Sequence, residues 1–229
     1  MKSLFITATG TDVGKTYISA LLVKKMRENG LNCGYFKPVL SGAKMDKNGD
    51  FIPEDCKFVI EKSGLKNEPM DCLSYCFQEA VSPHLASSRK GVKIEIEKII
   101  EDYNNYSQNF DYVLVEGAGG ITCPLSVDGE KIVLLNDLVS KMKLSVLLVA
   151  DAGLGTINSV LTSVDYIKSK HIDVVGIVLN NYDEQNFMHI DNKIMVEKLT
   201  NLPVVATIST GCEDIEIIKE DLERLFQEV

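Results

Sequence analysis

Arginine is nearly absent: Arg27, Arg89 and Arg224 are the only three in 229 residues. The net charge is −9, and no basic patch is evident for a nucleic-acid surface. Long apolar runs are missing too. None approaches the roughly 20 residues needed to cross a bilayer, so neither a nucleic acid nor a membrane is expected as a partner. The chain starts "MKSLFI" and passes at once into a glycine-rich loop, so no secretory leader is expected. The expectation is a cytoplasmic protein with reduced thiols. Of six cysteines only Cys72 and Cys76 lie close together. A zinc site would need more ligands nearby, and His84 is the sole candidate. Repeats, low-complexity tracts and linkers are also lacking, so residues 1–229 read as one domain. Much of the acidity falls in "EDIEIIKEDLERLFQEV", read as a closing helix with a solvated face.

What is present is a regular alternation. Short apolar runs, "SLFITA", "CGYFKPV", "DYVLVEGAGG", "LSVLLVA", "DVVGIVLN" and "PVVATI", alternate with helical patterns. The patterns predict helices over Lys15–Glu28, Pro53–Ser63, "IEIEKIIEDYNNY", "KIVLLNDLVSKM", Thr156–Lys170 and Phe187–Thr200, and another starting at Ser82. Pro38 is expected to stop the second strand, and "SGAKMDKNGDFIPED" to form an active-site loop. Continuous apolar strands separated by helices imply an α/β fold: a parallel sheet covered by helices on both faces.

In such sheets ligands bind beyond the carboxyl ends of the strands. Thr9–Thr16, Lys37 and Ser41, Glu116 with its glycines, Asp151, and Asn180 with Asn181 all follow strands. The first of these, "TGTDVGKT", is close to G-x-x-x-x-G-K-[ST], with Thr9 in place of the first glycine. Backbone N–H groups of Asp12 to Thr16 would cradle phosphates at a helix start. Lys15 would reach the β/γ-phosphates and Thr16 would ligate Mg²⁺. Glu116, ending a buried strand, is the expected second ligand. Asp55 is a further candidate, with Asp50 and Glu54 competing. Lys37 faces the same crevice as Lys15, where it could neutralise moving phosphate charge or hold an anionic substrate. His171 and His189 are read as solvated or core residues.

Three function classes fit such a site: an ATP-using ligase, a partner-controlled switch ATPase of the partition type, and a small-molecule kinase. The switch class carries a second lysine within the loop, near Gly10 or Thr11, absent here. Nucleotide kinases tend to carry an arginine cluster on a lid, and three scattered arginines do not supply one. The ligase reading leads, with the partition-type switch ATPase as the alternative.

With these residues in view, the sequence resembles the dethiobiotin synthetases, P-loop NTPases. "TGTDVGKT", "GYFKPVLSG", "SPHLA", "VLVEGAGG" and "GLGTINSVL" occur in that family's order. The resemblance implies that 7,8-diaminononanoate, CO₂ and ATP with Mg²⁺ become dethiobiotin, ADP and phosphate. A carbamate forms, ATP phosphorylates it, and the second amine closes a cyclic urea. It also implies a homodimer with a substrate site shared across the interface. By position, Lys37 and Lys15 would be catalytic, and Thr16, Asp55 and Glu116 would hold the metal. Nucleotide contacts would come from Asp12, Val13, Gly14, Lys15, Thr16 and Tyr17; from Glu116, Gly117, Ala118 and Gly119; and from Asn180, Asn181, Ser209, Thr210 and Gly211. Thr11 and Ser41 would touch the diamine, with Gly155, Thr156, Ile157 and Asn158 at its carboxylate. Ser209 replaces a proline common in the family, and Asp12 a glutamate.

Overall fold

The computed structural model describes residues 1–228, the last two by their backbone alone. Its first half runs β1 (Lys2–Ala8), α1 (Lys15–Glu28), β2 (Cys33–Ser41), β3 (Lys44–Met45), β4 (Phe51–Ile52), α2 (Glu54–Ser63), a 3₁₀ turn (Pro69–Cys72), β5 (Leu73–Phe77), α3 (Pro83–Lys90), α4 (Ile96–Ser107) and β6 (Tyr112–Gly120). The second half runs β7 (Pro124–Asp128), β8 (Lys131–Leu134), α5 (Leu135–Met142), β9 (Val146–Asp151), α6 (Thr156–Ser169), β10 (Val174–Asn180), α7 (Phe187–Thr200), β11 (Val204–Ile208), α8 (Lys219–Leu225) and β12 (Gln227–Glu228).

Seven strands lie parallel in the order β11-β10-β9-β1-β6-β2-β5. Successive residues of a strand point to opposite faces. In β1, β6 and β9 they are buried in unbroken runs, so helices cover both faces of the sheet, as the apolar runs predicted. The core is built from residues such as Phe5, Leu114, Leu147 and Ile177, each fully buried. This order brings the carboxyl ends of β1, β2 and β6 side by side.

The structure differs from the sequence reading in four places. Pro38 does not stop β2. The strand pairs with β6 as far as Phe36 and with β5 from Lys37 to Ser41, and Pro38 belongs to neither set of partners. Its missing donor therefore costs no ladder bond. The supposed helix over "KIVLLNDLVSKM" begins as β8, hairpinned to β7, and turns helical only at Leu135. The turn is Gly129-Glu130, with Gly129 at φ +60°, a two-residue connection with glycine at its first central position, as a type II′ turn requires. The loop after β2 carries its own small hairpin, β3–β4. The closing helix shrinks to Lys219–Leu225. Before it Ile215 and Ile217 are buried at alternate positions, an extended pattern. After it β12 pairs antiparallel with Lys2 and Ser3, and Val229 lies outside the described residues.

Candidate active site

The first strand delivers the chain into a tight turn before α1. Gly14 sits at φ +96°, and a Cβ added there would lie 2.3 Å from Asn180 Nδ2. Glycine is thus required both by the backbone angle and by the neighbour. Asn180, at the end of β10, donates through Nδ2 to the Val13 carbonyl at 2.9 Å and pins the loop from above. Among the described residues, no protein acceptor takes the backbone N–H groups of residues 10–14. These free amides and the start of α1 together form an anion-binding concavity. Lys15 lies folded over the loop, Nζ to the Gly10 carbonyl at 3.2 Å. Burial depresses its pKa, and the nearby Glu116 charge works against that shift.

Beside the loop, β2 and β6 present a buried charge cluster. The Glu116 side chain is fully buried and that of Lys37 is 6% exposed. Lys37 Nζ donates to Glu116 Oε1 at 2.7 Å and also bonds the Asp55 carboxylate from the first turn of α2. Thr16 Oγ1 donates to the same Glu116 Oε1 at 2.7 Å, and Tyr35 OH donates to Oε2 at 2.9 Å. Burial alone would raise the Glu116 pKa, but the Lys37 charge and the hydrogen bonds from Lys37 and Thr16 hold it below the usual carboxylate range. Burial alone would lower that of Lys37, but Glu116 and Asp55 more than offset it and raise it. Glu116 and Lys37 are thus both charged at neutral pH. Of the competing carboxylates, Glu54 pairs instead with Lys44 on the surface at 2.8 Å.

A cavity of about 800 Å³ opens over this floor. It brings together Thr11, Asp12, Gly14, Lys15, Thr16, Lys37, Ser41, Asp55, Glu116, Gly117, Ala118 and Gly119, all expected from the sequence. Gly117 allows the close packing, since a Cβ there would meet Leu135 and Phe5 at 2.8 and 2.9 Å. The far wall was not foreseen: Val39, Leu40, Ala80, Val81, Ser82, Pro83 and Cys123. "SPHLA" was the available signal for Ser82 and Pro83. Tyr35 was missed as well, although it stands two residues before Lys37, on the same face of β2.

Val13, Tyr17 and Asn180 do not line the cavity, and two further predicted groups lie outside it. Asn181, Thr210 and the turn closed by Cys212 N–H on the Ser209 carbonyl form one. Thr210 donates to Asn181 Oδ1 at 3.2 Å, while Asn181 Nδ2 donates to Asp151 at 2.8 Å. Gly211, at φ +78°, belongs to that turn, and the Tyr17 hydroxyl ties it to α1 through the Cys212 carbonyl. The second group is Gly155, Thr156, Ile157 and Asn158 at the start of α6. Gly155 is at φ +91°, and Thr156 Oγ1 is buried with no hydrogen-bond partner among the described residues. Asn192 holds the preceding turn through the carbonyls of Ala152 and Gly153.

Comparison with known proteins agrees with this geometry. The family model described as "AAA domain" matches residues 2–211. An ATP-dependent dethiobiotin synthetase BioD of Clostridium botulinum (strain Alaska E43 / Type E3) is 46% identical over 98% of this chain and 98% of its own length. Another, from strain Eklund 17B / Type B, is 47% identical over the same shares. A third, from strain 657 / Type Ba4, is 46% identical over the whole of both chains. Among solved structures, the MinC:MinD cell division complex of Aquifex aeolicus superposes at TM-score 0.54 with 14% identity, covering 98% of this chain and 86% of that one. A ParA family ATPase of Chlorobium tepidum TLS gives 0.52 with 16% identity, covering 90% and 82%. At that identity the likeness establishes the P-loop NTPase fold alone, and the function class follows the full-length relatives: the chain belongs to the dethiobiotin synthetase family.

Proposed function

We propose that this cavity closes the cyclic urea of dethiobiotin from 7,8-diaminononanoate, CO₂ and ATP, and that the residues do so as follows. The observation that carries the assignment of roles is the buried Lys37 bridging Glu116 and Asp55 beside Lys15. One amine of the diamine attacks CO₂ and loses a proton, giving a carbamate. A carbamate oxygen attacks the γ-phosphorus of ATP, and the bond to ADP breaks. The second amine attacks the carbonyl carbon of the mixed anhydride, and phosphate leaves as the ring closes. The free amides of the loop and Lys15 hold the phosphates. The Lys37 ammonium lies where carbamate and phosphoryl oxygens meet, and its charge stabilises both as negative charge shifts between them. Ser41 lines the cavity with a buried hydroxyl that has no protein partner among the described residues, which suits it to a substrate amine or carbamate. Asn180, Asn181, Ser209, Thr210 and Gly211 remain the proposed base and ribose contacts.

Mg²⁺ fits the donors present. Thr16, Asp55 and Glu116 supply oxygen only, with two carboxylates, as a hard cation prefers. Among the described residues no cluster of three or more His, Cys, Asp or Glu could cage a metal, so oxygens of the nucleotide and of water would complete the shell. The cation, when bound, supplies charge neutralisation on the β- and γ-phosphates. Lys37 already balances one of the two carboxylates.

The active species in this reading is a homodimer, and the start of α6 in one subunit takes the carboxylate of a substrate held by the other. Exposed apolar side chains support it: Leu154 is 93% and Phe187 85% exposed, and Ile190 and Ile194 share the exposed face of α7 with Phe187. The reaction is placed in the cytoplasm, to which six free thiols are suited. Among the described residues, no helix is long and apolar enough to cross a membrane. The test is turnover with diaminononanoate, bicarbonate and each nucleoside triphosphate, with dethiobiotin detected by mass. ATP consumption with no ring product would reject the proposal.

A further inference from the structure

Among the buried polar groups that the mechanism does not use, one touches the charge cluster directly. Tyr35 is fully buried in β2, two residues before Lys37 and on the same face of the strand. β2 pairs in parallel with β6, Tyr35 opposite Leu114, so the ring runs alongside the end of β6 where Glu116 stands. Its hydroxyl donates to Glu116 Oε2 at 2.9 Å. The other oxygen, Oε1, receives both Thr16 and Lys37 at 2.7 Å. The two oxygens of one carboxylate are therefore used differently: one faces the loop and the cavity, the other is held from within the core.

We propose that Tyr35 is a positioning residue: by holding Oε2 it fixes the rotation of the Glu116 carboxylate, so that Oε1 is presented at the Thr16 position where the cation of the nucleotide is held. The inference rests on the assignment of Glu116 to that cation. A carboxylate with one oxygen anchored loses its freedom to rotate, and that entropy is lost on folding instead of on metal binding. A phenol suits the task. It is a single neutral donor that carries no charge to compete with the cation, and in this pocket it stays protonated. Burial drives its pKa well above the ordinary value, and the neighbouring Glu116 charge drives it further. Tyr103 and Tyr106 are buried tyrosines of the same core whose hydroxyls serve Ser3 and the backbone N–H of Tyr35, respectively. Neither hydroxyl bonds the cluster, which makes Tyr103 a suitable control.

The test measures binding of a non-hydrolysable ATP analogue by calorimetry while Mg²⁺ is varied, so that turnover plays no part. Tyr35→Phe removes one oxygen atom and keeps the ring. It should raise the half-saturating Mg²⁺ concentration about tenfold or more, the usual effect of losing an outer-shell partner. Affinity for the analogue in EDTA should stay as in the wild type. Tyr103→Phe should lower the melting temperature without moving the Mg²⁺ midpoint. Glu116→Gln separates the two layers of the argument. If it shifts the Mg²⁺ midpoint and Tyr35→Phe does not, the Tyr35 proposal is overturned. If neither shifts it, the assignment of Glu116 fails first and takes the Tyr35 proposal with it. Should Tyr35→Phe not fold, the wild type decides: the slowly exchanging Tyr35 hydroxyl proton, identified in NMR through its ring carbons, should persist when Mg²⁺ and the analogue bind. Its loss on binding would mean that Tyr35 releases Glu116, which overturns the proposal.

Discussion

At the scale of single residues, Lys37 has two separable duties. It pairs with two carboxylates, Glu116 and Asp55; in the proposed reaction it meets the moving phosphoryl group. Lys37→Ala should lower ring closure about a hundredfold or more, the usual effect of removing a preorganised charge at a transition state. It should also lower the melting temperature, because Glu116 would be left buried and unpaired. Mg²⁺ with nucleotide should restore part of the melting temperature and none of the activity. Melting curves with and without Mg²⁺–nucleotide, set beside turnover, check both halves. The pH dependence follows from the same pair. The folded pKa of Glu116 is held below its ordinary 4.5, so its contribution is present above that value and is lost as pH falls through the lower folded value. The folded pKa of Lys37 is raised above 10.5, so its contribution is complete below 10.5 and is lost only as pH rises beyond it. The stability gap between wild type and Glu116→Gln should therefore be flat from about pH 5 to 10 and shrink below 4.5. Urea unfolding of both proteins across pH measures it, and a gap that widens in acid would contradict the assignment.

At the scale of elements, the loop and the end of β10 act as one unit through Gly14 and Asn180. Gly14→Ala places a methyl group against Asn180 Nδ2 and forces a positive φ on a residue with a side chain, which costs about 1 kcal/mol or more. ATP affinity should fall by more than tenfold. Adding Asn180→Gly should recover part of it by removing the clash, though not the backbone strain; binding of a fluorescent nucleotide analogue reads both. These elements also show what was legible in the sequence. α1 and α7 have the bounds that their periodicity and caps predicted. Lys15, Thr16 and Glu116 meet because β1 and β6 are neighbours in a parallel sheet and ligands gather near their carboxyl ends, whereas Lys37 joins them from within β2 and Asp55 from the first turn of α2. The β7–β8 hairpin was not legible as such. "KIVLL" is short and apolar, and it runs without a break into the amphipathic start of α5, so one helical pattern swallowed it. Asp128-Gly129 was the overlooked signal. β5, at the sheet edge, has five residues and no flanking glycine or proline to frame it. β12 has only two residues, and such a pairing is decided by where the chain end lands, not by any local preference. Tyr35 was illegible for a different reason: a tyrosine in an apolar strand reads as core, and only the position of its hydroxyl gives it a role.

At the scale of the whole molecule, the substrate must reach from the loop to the start of α6. Loop, Lys37 and Glu116 lie in one cavity, while Gly155 to Asn158 lie outside its lining. The diamine carries its carboxylate on a flexible apolar chain, so one molecule could engage both groups if a second subunit brings its α6 start to the first subunit's cavity. A helix start with Thr156 Oγ1 buried and unpartnered is suited to receive it. Gly155 is the position to probe. It adopts φ +91°, but an added Cβ meets nothing within 4 Å in the subunit. With open space around that Cβ, a large effect of a bulky residue there points to what sits outside the subunit, apart from about 1 kcal/mol of local strain. Gly155→Phe should raise the KM for the diamine at least tenfold and leave ATP binding unchanged. Phe187→Glu, on the exposed face of α7, should shift the sedimentation equilibrium towards monomer and lower activity with it. The decisive experiment mixes Gly155→Phe with Lys37→Ala. In a heterodimer one shared site carries both lesions and the other carries neither, so activity should return towards a quarter of the wild-type value if subunits exchange at random in equal amounts. Mass spectrometry of differently tagged subunits verifies the exchange. Mixed dimers no more active than their parents would mean that each cavity works alone, and that the carboxylate is held by residues of its own chain.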